Sequence, residues 1–389
     1  MKSLFETVTK IGPFIHQHID EEENNRRLSK PVIKILKESG FHKLFMPESL
    51  GGHECDPLTV AKLVEEVAHY NTAAGWSMMV ANVSVWWCRK LPAKGIEEVY
   101  KNGPDTLIAG AFHPPMMANR VEGGYRINGR SPLTSNVHEA QWIFVCAFVM
   151  ENGQMKMNQG IPEIIGVLMV PEHCNIIDTW HTLGMKATDS NDVEAKEVFV
   201  PDHLLFPLSP FAESNHYYPG PLYKFAAIGI SVASLIAPIA LAVACNAIEE
   251  LKTLAGKKTS FGSVVPLRER GAIQRKIGMA EALVRSSRAY LHHTIETSWN
   301  KIVKGEELTL EDKAGLLLAA THTNQSCMQA VDLMYSAAGT TGIYTKNKLA
   351  HYFADAQVIR QHGFANDSRY ETAAQVYLGL QPDLPVLVF

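Results

Sequence analysis

Three short segments of this sequence carry the side chains that could do chemistry on a small molecule. The first, GRSPLTSN, ends in Thr134, Ser135 and Asn136, whose hydroxyl and amide groups can hydrogen-bond a planar heterocycle. The second, GMKATDSN at 184–191, precedes an alternating, strand-like run. The third places His362 near the carboxyl end, where an imidazole can donate a hydrogen bond or act as an acid or base. Each segment taken alone is also compatible with ordinary structure.

Other cofactor and metal motifs are missing or incomplete. No GxGxxG run follows a strand-like segment and no P-loop sequence occurs, so neither a nicotinamide dinucleotide site nor a nucleotide-phosphate loop is predicted. Glu66 and His69 have the ExxH spacing of di-iron proteins, but those proteins need such a pair on each of two helices. The other ExxH, Glu213 with His216, lies in a proline-rich passage. We therefore expect no metal site.

The composition is that of a globular protein without a strong charge field. The 36 Lys and Arg residues against 40 Asp and Glu give a net charge of -4, which provides no basic field for nucleic acid. The six cysteines are far apart and form no CxxC pair, which favours a reducing compartment and argues against thiolate-bound zinc. No secretory signal is visible at the amino terminus. We expect a cytoplasmic protein that does not bind nucleic acid.

The hydrophobic periodicity changes twice along the chain. Apolar residues recur at helical spacing to about residue 105, β-prone runs separated by Gly, Pro and Asn follow, and helical patterns then continue almost to the end. This order predicts an α+β protein with three domains. We expect a helical domain at 1–105, a mostly antiparallel β-domain at 106–215 and a second helical domain at 216–389.

Two features of the last region make definite predictions. Residues 225–248 carry no charge and are long enough to cross a bilayer, but their many small side chains and the lack of flanking aromatic belts favour a helix buried among other helices. We expect no membrane association. Thr309 and Asp312 have the spacing of a capping box, which predicts a helix that starts there and stops at Gly339.

Together, in a chain ordered helix, sheet, helix, the three polar segments resemble the acyl-CoA dehydrogenase superfamily over nearly the whole length. The resemblance implies an N-terminal helical domain, a central antiparallel β-domain and a C-terminal four-helix bundle. It also implies that Thr134, Ser135 and Asn136 bind a flavin, with Ser135 near the reactive edge of the isoalloxazine ring. The segment at 184–191 matches the Gly-x-x-x-Thr-x-Ser stretch of the superfamily.

Two reaction classes occur on this fold, and one position separates them. A dehydrogenase needs a carboxylate to take the α-proton of an acyl thioester. In most of the superfamily this Glu lies eight residues after the Asp that matches Asp355, and that position here is Gly363. The chain has His362 instead, in a tail similar to that of the flavin-dependent monooxygenase branch. The resemblance therefore implies a monooxygenase, with His362 and Ser135 as catalytic residues.

Members of that branch are oxygenase components of two-component systems. The resemblance implies that reduced flavin, FMNH2 or FADH2, arrives from a separate NAD(P)H:flavin reductase and forms a C4a-hydroperoxyflavin with O2, which hydroxylates an aromatic or heteroaromatic small molecule. His362 would hydrogen-bond that substrate or take its proton. Three alternatives stay open: an acyl-CoA dehydrogenase with an unrecognised base, a monooxygenase that oxidises nitrogen or sulfur, and a silent binding subunit.

The remaining expected contacts come from positions that depart from the superfamily pattern. Where relatives have Arg-x-x-Phe-Gly, with the Arg on the cofactor pyrophosphate across a subunit interface, this chain has Lys258 and Phe261 in KTSFG. Gly339 lies in a degenerate glycine-rich passage and is the last expected cofactor contact. The cross-subunit contact implies a homotetramer.

Substrate contacts are expected on the early helices and at the start of the sheet. Relatives place a substrate-binding His in the region that reads ANVSVWWCRKLP here, so Trp86 and Trp87 are candidates for the pocket wall. His113, in AGAFHPP, is a candidate to replace the missing imidazole. The two tryptophans are equally compatible with a place in the core.

Overall fold

The chain folds in the order that the periodicity predicts. The computed structural model describes residues 2–112, 116–158, 160–209, 213–259 and 262–388. The amino-terminal region contains six helices: α1 (Lys2–His16), α2 (Ile19–Asn25), α3 (Lys30–Glu38), α4 (Pro57–Tyr70), α5 (Thr72–Trp87) and α6 (Ala93–Val99).

Helix α5 is the central element of this region. The Asn71 side chain caps it by accepting hydrogen bonds from the backbone N–H groups of Ala73 and Ala74, at 2.9 and 3.2 Å. Within α5, which the structure describes throughout, every residue is buried except Trp76, which is half-buried. A helix that is apolar all round lies inside the protein. Trp76 is therefore the one side chain of α5 that is not packed on all sides.

The central region is a mostly antiparallel sheet, as predicted. Its strands run in the order β11-β8-β4-β2-β3-β10-β9, with β1 and β5 also paired to β4 and with β6 and β7 forming a separate pair. Two pairs, β1 with β4 and β2 with β4, are parallel. The strands are β1 (Ile108–Gly110), β2 (Met116–Val121), β3 (Gly124–Thr134), β4 (Trp142–Glu151), β5 (Gln154–Met155), β6 (Met157–Asn158), β7 (Ile161–Pro162), β8 (Ile164–Met169), β9 (Asn175–Ile177), β10 (Asn191–Pro201) and β11 (Leu205–Pro207).

The pairing of β3 with β10 brings the two polar segments together. In this antiparallel pair, Thr134 at the end of β3 lies opposite Asn191 at the start of β10. Ser135 directly follows β3, and Ser190 directly precedes β10. Residues that flank opposed ends of an antiparallel pair must be neighbours. The register thus places the first two segments side by side.

The carboxyl-terminal region is helical. It contains a π-helix (Gly229–Ile236) that continues into α7 (Ala237–Lys257), then α8 (Gly271–Val303), α9 (Leu310–Ala338), α10 (Lys348–Ile359) and α11 (Arg369–Tyr377). Helix α9 packs against α7, α8, α10 and α11, and α4 of the first region packs against α7. The fold is the acyl-CoA dehydrogenase-like α+β arrangement that the sequence predicts. The three domain boundaries stay a prediction.

The charge-free stretch is a core helix. The π-helix and α7 together, Gly229–Lys257, are long and apolar enough to cross a membrane, but 83% of the most apolar window is buried inside the protein. Pro238 is the second residue of α7, directly after the π-helix, and the helix continues through it to Lys257. The predicted burial among other helices is confirmed.

The predicted ends of α9 are also confirmed. The Thr309 side chain accepts a hydrogen bond from the backbone N–H of Asp312, and the Asp312 carboxylate accepts one from the N–H of Thr309. Gly339 follows the last helical residue with a φ of 58° and ψ of -144°, a conformation that glycine adopts most easily.

Candidate active site

A chain of buried hydroxyl groups joins the two polar segments. Ser135 Oγ lies 2.7 Å from Ser190 Oγ, which lies 2.7 Å from Thr188 Oγ1. Thr188 donates to the backbone carbonyl of Met185 at 2.8 Å. The indole N–H of Trp76, on α5, donates to Ser135 Oγ at 3.1 Å. The structure therefore links the helix α5, the end of β3 and the loop before β10 through one hydrogen-bonded group.

Asn136 has a structural role that the sequence analysis did not foresee. Its φ of 62° is in the left-handed region, its backbone N–H donates to the carbonyl of Thr188 at 3.0 Å, and its side-chain amide donates to the carbonyl of Ser77 at 3.1 Å. These bonds join the Ser135 turn to the neighbouring loop and to α5. The main-chain amide expected to face the flavin is thus occupied within the protein.

Asp189 supports the same loop. Its carboxylate accepts hydrogen bonds from the backbone N–H of His138 at 2.9 Å, the imidazole of His138 at 2.7 Å and the side-chain amide of Asn191 at 2.9 Å. The residue has a φ of 52°, a strained conformation that short polar side chains tolerate better than most. Three bonds to one carboxylate stabilise it.

His362 lies in the turn between α10 and α11, outside the helical pattern expected for it. Its ring centroid is 5.6 Å from that of Trp76 and 5.7 Å from that of Phe364, both in edge-on contacts. The backbone N–H of Phe364 donates to His362 Nδ1 at 3.3 Å, so this nitrogen is the acceptor and Nε2 carries the proton. Trp76 thus contacts both predicted catalytic residues.

Burial sets the electrostatic state of His362. Burial lowers the pKa of His362 to about 4, with no contribution from a charged neighbour. The ring is therefore neutral near pH 7, and it is a hydrogen-bond donor through Nε2 rather than an effective base. Among the residues that the structure describes, no carboxylate is hydrogen-bonded or ion-paired to His362, Ser135 or Trp76.

Aromatic rings form a wall beside His362. Phe112 lies 6.5 Å from Phe364, 4.9 Å from Phe144 and 5.5 Å from Trp87, measured between ring centroids. Phe144 stacks on Phe206 at 5.6 Å. Continuous ring contacts of this kind exclude water and suit a flat, apolar ligand.

The two tryptophans of the WW pair have different surroundings. Trp86 is in the core, because its indole N–H donates to the carbonyl of Leu222 at 3.2 Å and the guanidinium of Arg89 lies 3.6 Å from its ring centroid. Trp87 is buried but contacts Phe112, and through it the wall beside His362. His113 lies outside the described residues.

Lys258 and Gly339 lie close together at the end of α9. The Lys258 ammonium donates to the carbonyl of Ala338 at 2.7 Å and to Thr341 Oγ1 at 2.6 Å. A cation at a helix carboxyl end is favoured by the helix dipole. Within the part of the chain that the structure describes, these bonds use two of the three ammonium hydrogens of Lys258. Gly339 is exposed and Lys258 is half-buried. Phe261 lies outside the described residues.

The loop that carries Thr188 and Ser190 is fixed by α10. A Cβ atom on Gly184 would lie 2.3 Å from the backbone of Ala354, so only glycine permits this close approach. Asp355 is buried and accepts a hydrogen bond from the N–H of Met185 at 2.6 Å. The helix that leads to His362 therefore also positions the hydroxyl chain.

Glu66 and His69, the residues of the ExxH segment, have different surroundings. Glu66 is exposed, whereas His69 pairs with Glu65 at 3.7 Å and hydrogen-bonds Asn246 at 3.0 Å. Arg288 donates to both Glu65 and Cys245, so a guanidinium already fills the space between these possible metal ligands.

The residues present suit a flavin. Thr134 Oγ1 is buried with no hydrogen-bond partner in the part of the chain that the structure describes, which is unfavourable unless a ligand satisfies it. The hydroxyl groups around Ser135 supply polar contacts for a ligand, and the aromatic rings around Phe112 supply an apolar surface.

Sequence reasoning missed Trp76, which connects the site. Its segment, TAAGWSMM, is uniformly apolar, and no spacing distinguishes this Trp from those at 86 and 87. The roles of Asp189 and His138 were also missed, since they depend on the turn that follows β3.

Comparisons with known proteins place the chain in a family. The acyl-CoA dehydrogenase N-terminal domain matches residues 8–95, and the acyl-CoA dehydrogenase C-terminal domain matches residues 234–367. The indole-3-acetate monooxygenase of Pseudomonas putida is 29% identical, over 94% of this chain and 90% of that protein. The oxygenase component of FADH2-dependent resorcinol hydroxylase from a Rhizobium species is 25% identical, over 96% of this chain and 94% of that protein.

Solved structures agree on the fold. The HsaA monooxygenase from M. tuberculosis superposes with a TM-score of 0.90 at 22% identity, covering 99% of both chains. XiaF from a Streptomyces species, in complex with FADH2 and glycerol, superposes with a TM-score of 0.89 at 22% identity. By its two domain matches this chain belongs to the acyl-CoA dehydrogenase superfamily, and the curated relatives that it resembles over most of their length are flavin-dependent monooxygenases and hydroxylases.

Proposed function

We propose that the protein is the oxygenase component of a two-component flavin-dependent monooxygenase that hydroxylates an aromatic or heteroaromatic small molecule. The observation that carries this proposal is the imidazole of His362 in edge-on contact with Trp76, whose indole N–H donates to Ser135, in a site where a dehydrogenase needs a carboxylate. The relatives named indole-3-acetate monooxygenase and resorcinol hydroxylase support it.

The cofactor is reduced flavin, FMNH2 or FADH2, with O2 as co-substrate. When bound, it supplies the electrons that activate O2. Thr134 and Ser135 would hold the flavin ring, with Ser135 beside its N5 atom, and Asn136 would hold the Ser135 turn in place through its bonds to Thr188 and Ser77. Lys258, Phe261 and Gly339 would contact the phosphate part of the cofactor. Reduction would take place on a separate NAD(P)H:flavin reductase, because the sequence carries no nicotinamide motif.

His362 would position the substrate. Since Nδ1 accepts from Phe364, Nε2–H is the group left to donate, and a phenol oxygen or a heterocycle oxygen would accept it. The rings of Phe112, Phe144 and Trp87 would hold the aromatic part of the substrate and keep water away from the reacting atoms. His113 stays a candidate for a further substrate contact, whereas the core position of Trp86 speaks against a direct one.

One experiment tests the proposal. The purified protein is mixed with chemically reduced FMN or FAD, oxygenated buffer and a panel that includes indole-3-acetate and resorcinol, and products are analysed by mass spectrometry with labelled O2. We expect one labelled oxygen on a ring carbon. Oxygen on nitrogen or sulfur instead would support the other type of monooxygenase. Anaerobic bleaching of bound oxidised flavin by an acyl-CoA would support a dehydrogenase.

The assembly and the compartment are further parts of the proposal. A homotetramer would bring Lys258 and Phe261 to a neighbouring subunit's cofactor, and the widely spaced, unpaired cysteines suit the cytoplasm. The proposed domain boundaries at 105 and 215 are supported by the end of α6 at Val99 and the end of β11 at Pro207.

A further inference from the structure

The directions of the hydrogen bonds in the hydroxyl chain follow from counting protons. A carbonyl oxygen only accepts, so Thr188 gives its one hydroxyl proton to Met185. The contact between Thr188 and Ser190 must then use the proton of Ser190. The contact between Ser190 and Ser135 must in turn use the proton of Ser135.

Ser135 is therefore left as an acceptor. Its proton points to Ser190, and one lone pair accepts the Trp76 indole N–H. The remaining lone pair is the group that Ser135 offers to a ligand.

Two further contacts keep this arrangement in place. Met185 is held by the Asp355 carboxylate at 2.6 Å and by the indole N–H of Trp180, which donates to the Met185 carbonyl at 3.0 Å. Thr188, Ser190 and Ser135 are all buried, so water does not compete for their protons. Reversing the chain would remove the Thr188 bond to Met185 and gain none within the chain.

We propose that Ser190 and Thr188 are positioning residues that keep Ser135 in its acceptor state, and that this state makes the site select reduced over oxidised flavin. The inference rests on the proposed function, which places Ser135 beside the flavin N5. In reduced flavin N5 carries a hydrogen and can donate to Ser135. In oxidised flavin N5 has only a lone pair, which would face the lone pair of Ser135. An oxygenase supplied with reduced flavin by another protein gains from this selectivity.

The test compares binding of the two redox forms. Dissociation constants for dithionite-reduced and oxidised FMN and FAD are measured anaerobically for the wild type, Ser190→Ala and Thr188→Val. Both substitutions release the Ser135 proton, which can then be donated to N5 of oxidised flavin. We expect the preference for reduced flavin to fall about tenfold. For this two-electron couple, that change lowers the midpoint potential of bound flavin by about 30 mV.

Control variants separate positioning from general damage. Thr188→Ser keeps the hydroxyl and should keep the wild-type preference. Ser287→Ala removes a buried hydroxyl of α8, outside the candidate site, that donates to the carbonyl of Val284, and it should leave the preference unchanged. Circular dichroism checks the fold of each variant.

Each outcome decides the proposal. If Ser190→Ala and Thr188→Val bind both redox forms of flavin with the wild-type preference, the positioning role of Ser190 and Thr188 is wrong, although the proposed function stands. If the wild type binds neither redox form of flavin, the proposed function fails, and the positioning role of Ser190 and Thr188 fails with it. A wild type that binds reduced and oxidised flavin equally well also overturns this positioning role. A loss of preference in Thr188→Val that Thr188→Ser restores supports it.

Discussion

The lowered pKa of His362 makes a prediction about how the stability of the protein depends on pH. Its ordinary pKa is 6.5, and burial lowers the folded value to about 4. Between pH 6.5 and about 4, the unfolded chain binds a proton at His362 and the folded chain does not. His362 therefore lowers the free energy of unfolding as the pH falls through this range. Above pH 6.5 the protonation of His362 has no effect on stability.

A titration by NMR checks this directly. We expect the ring resonances of His362, assigned by their loss in His362→Gln, to stay constant between about pH 5.5 and 8, where an ordinary histidine titrates. A midpoint for His362 near 6.5 would contradict the neutral-donor role.

Substitution of the same residue tests its part in catalysis. His362→Ala should abolish hydroxylation, because the substrate loses the Nε2–H donor. Reduced-flavin binding should change by less than about tenfold, or about 1.4 kcal/mol, since the proposed cofactor contacts are elsewhere. His293→Ala, on the exposed face of α8, is the matched control and should keep full activity. Unchanged product yield in His362→Ala would remove His362 from the mechanism.

The individual residues of the site were only partly predictable. Ser135 and the segment with Ser190 stood out because hydroxyl residues at strand ends mark binding loops, and the structure joins them. Trp76 did not stand out, because its role depends on the distance between α5 and β3, which no local pattern encodes. The occupied amide of Asn136 was missed for the same reason, since its partner is 52 positions further along the chain.

Among the elements, α10 has two functions: it holds the loop before β10 and leads to His362. Asp355→Ala would leave the buried N–H of Met185 without a partner and should lower the free energy of unfolding by about 1–3 kcal/mol. Urea denaturation measures this. Asp332→Ala is the matched control, because its carboxylate is about half exposed and pairs with Arg360 at 3.8 Å, so its loss should cost less than about 1 kcal/mol. Equal costs for the two variants would argue against the role of α10.

The capping box at the start of helix α9 was predicted from the sequence, and its contribution to stability can be tested. Thr309→Ala removes one half of the capping box and should destabilise the protein by about 1 kcal/mol. Thr294→Ala, at a half-buried site within α8 whose hydroxyl donates to the carbonyl of Tyr290 in the same helix, should have a much smaller effect. Thermal unfolding of both variants makes the comparison. A smaller loss in Thr309→Ala than in Thr294→Ala would show that the cap is unimportant.

The elements themselves were largely predictable, because capping and periodicity are local. The capping box, the stop at Gly339 and the buried apolar helix all follow from short-range patterns. The π-helix at Gly229–Ile236 and the turn that contains His362 do not, because packing against other helices decides them.

For the whole molecule, the exposed apolar side chains of the carboxyl-terminal region need an explanation. Large side chains there are more than half exposed: Val264, Ile343, Tyr344, Tyr377, Leu378 and Leu380. Several lie in the chain segments that flank Lys258 and Gly339, the expected cross-subunit cofactor contacts. Apolar groups concentrated near a predicted interface are typical of an oligomer.

Sedimentation tests this at the scale of the assembly. We expect the wild type to sediment at four times the chain mass of 43.0 kDa, and Leu378→Lys with Leu380→Lys to give a smaller species, because two charges would be buried in the interface. Since Lys258 is expected to reach the cofactor of a neighbouring subunit, the smaller species should also bind reduced flavin more weakly. Ile161→Lys, equally exposed in the β6–β7 pair, should leave both mass and flavin binding unchanged. A monomeric wild type that binds reduced flavin with full affinity would contradict both the tetramer and the shared cofactor site.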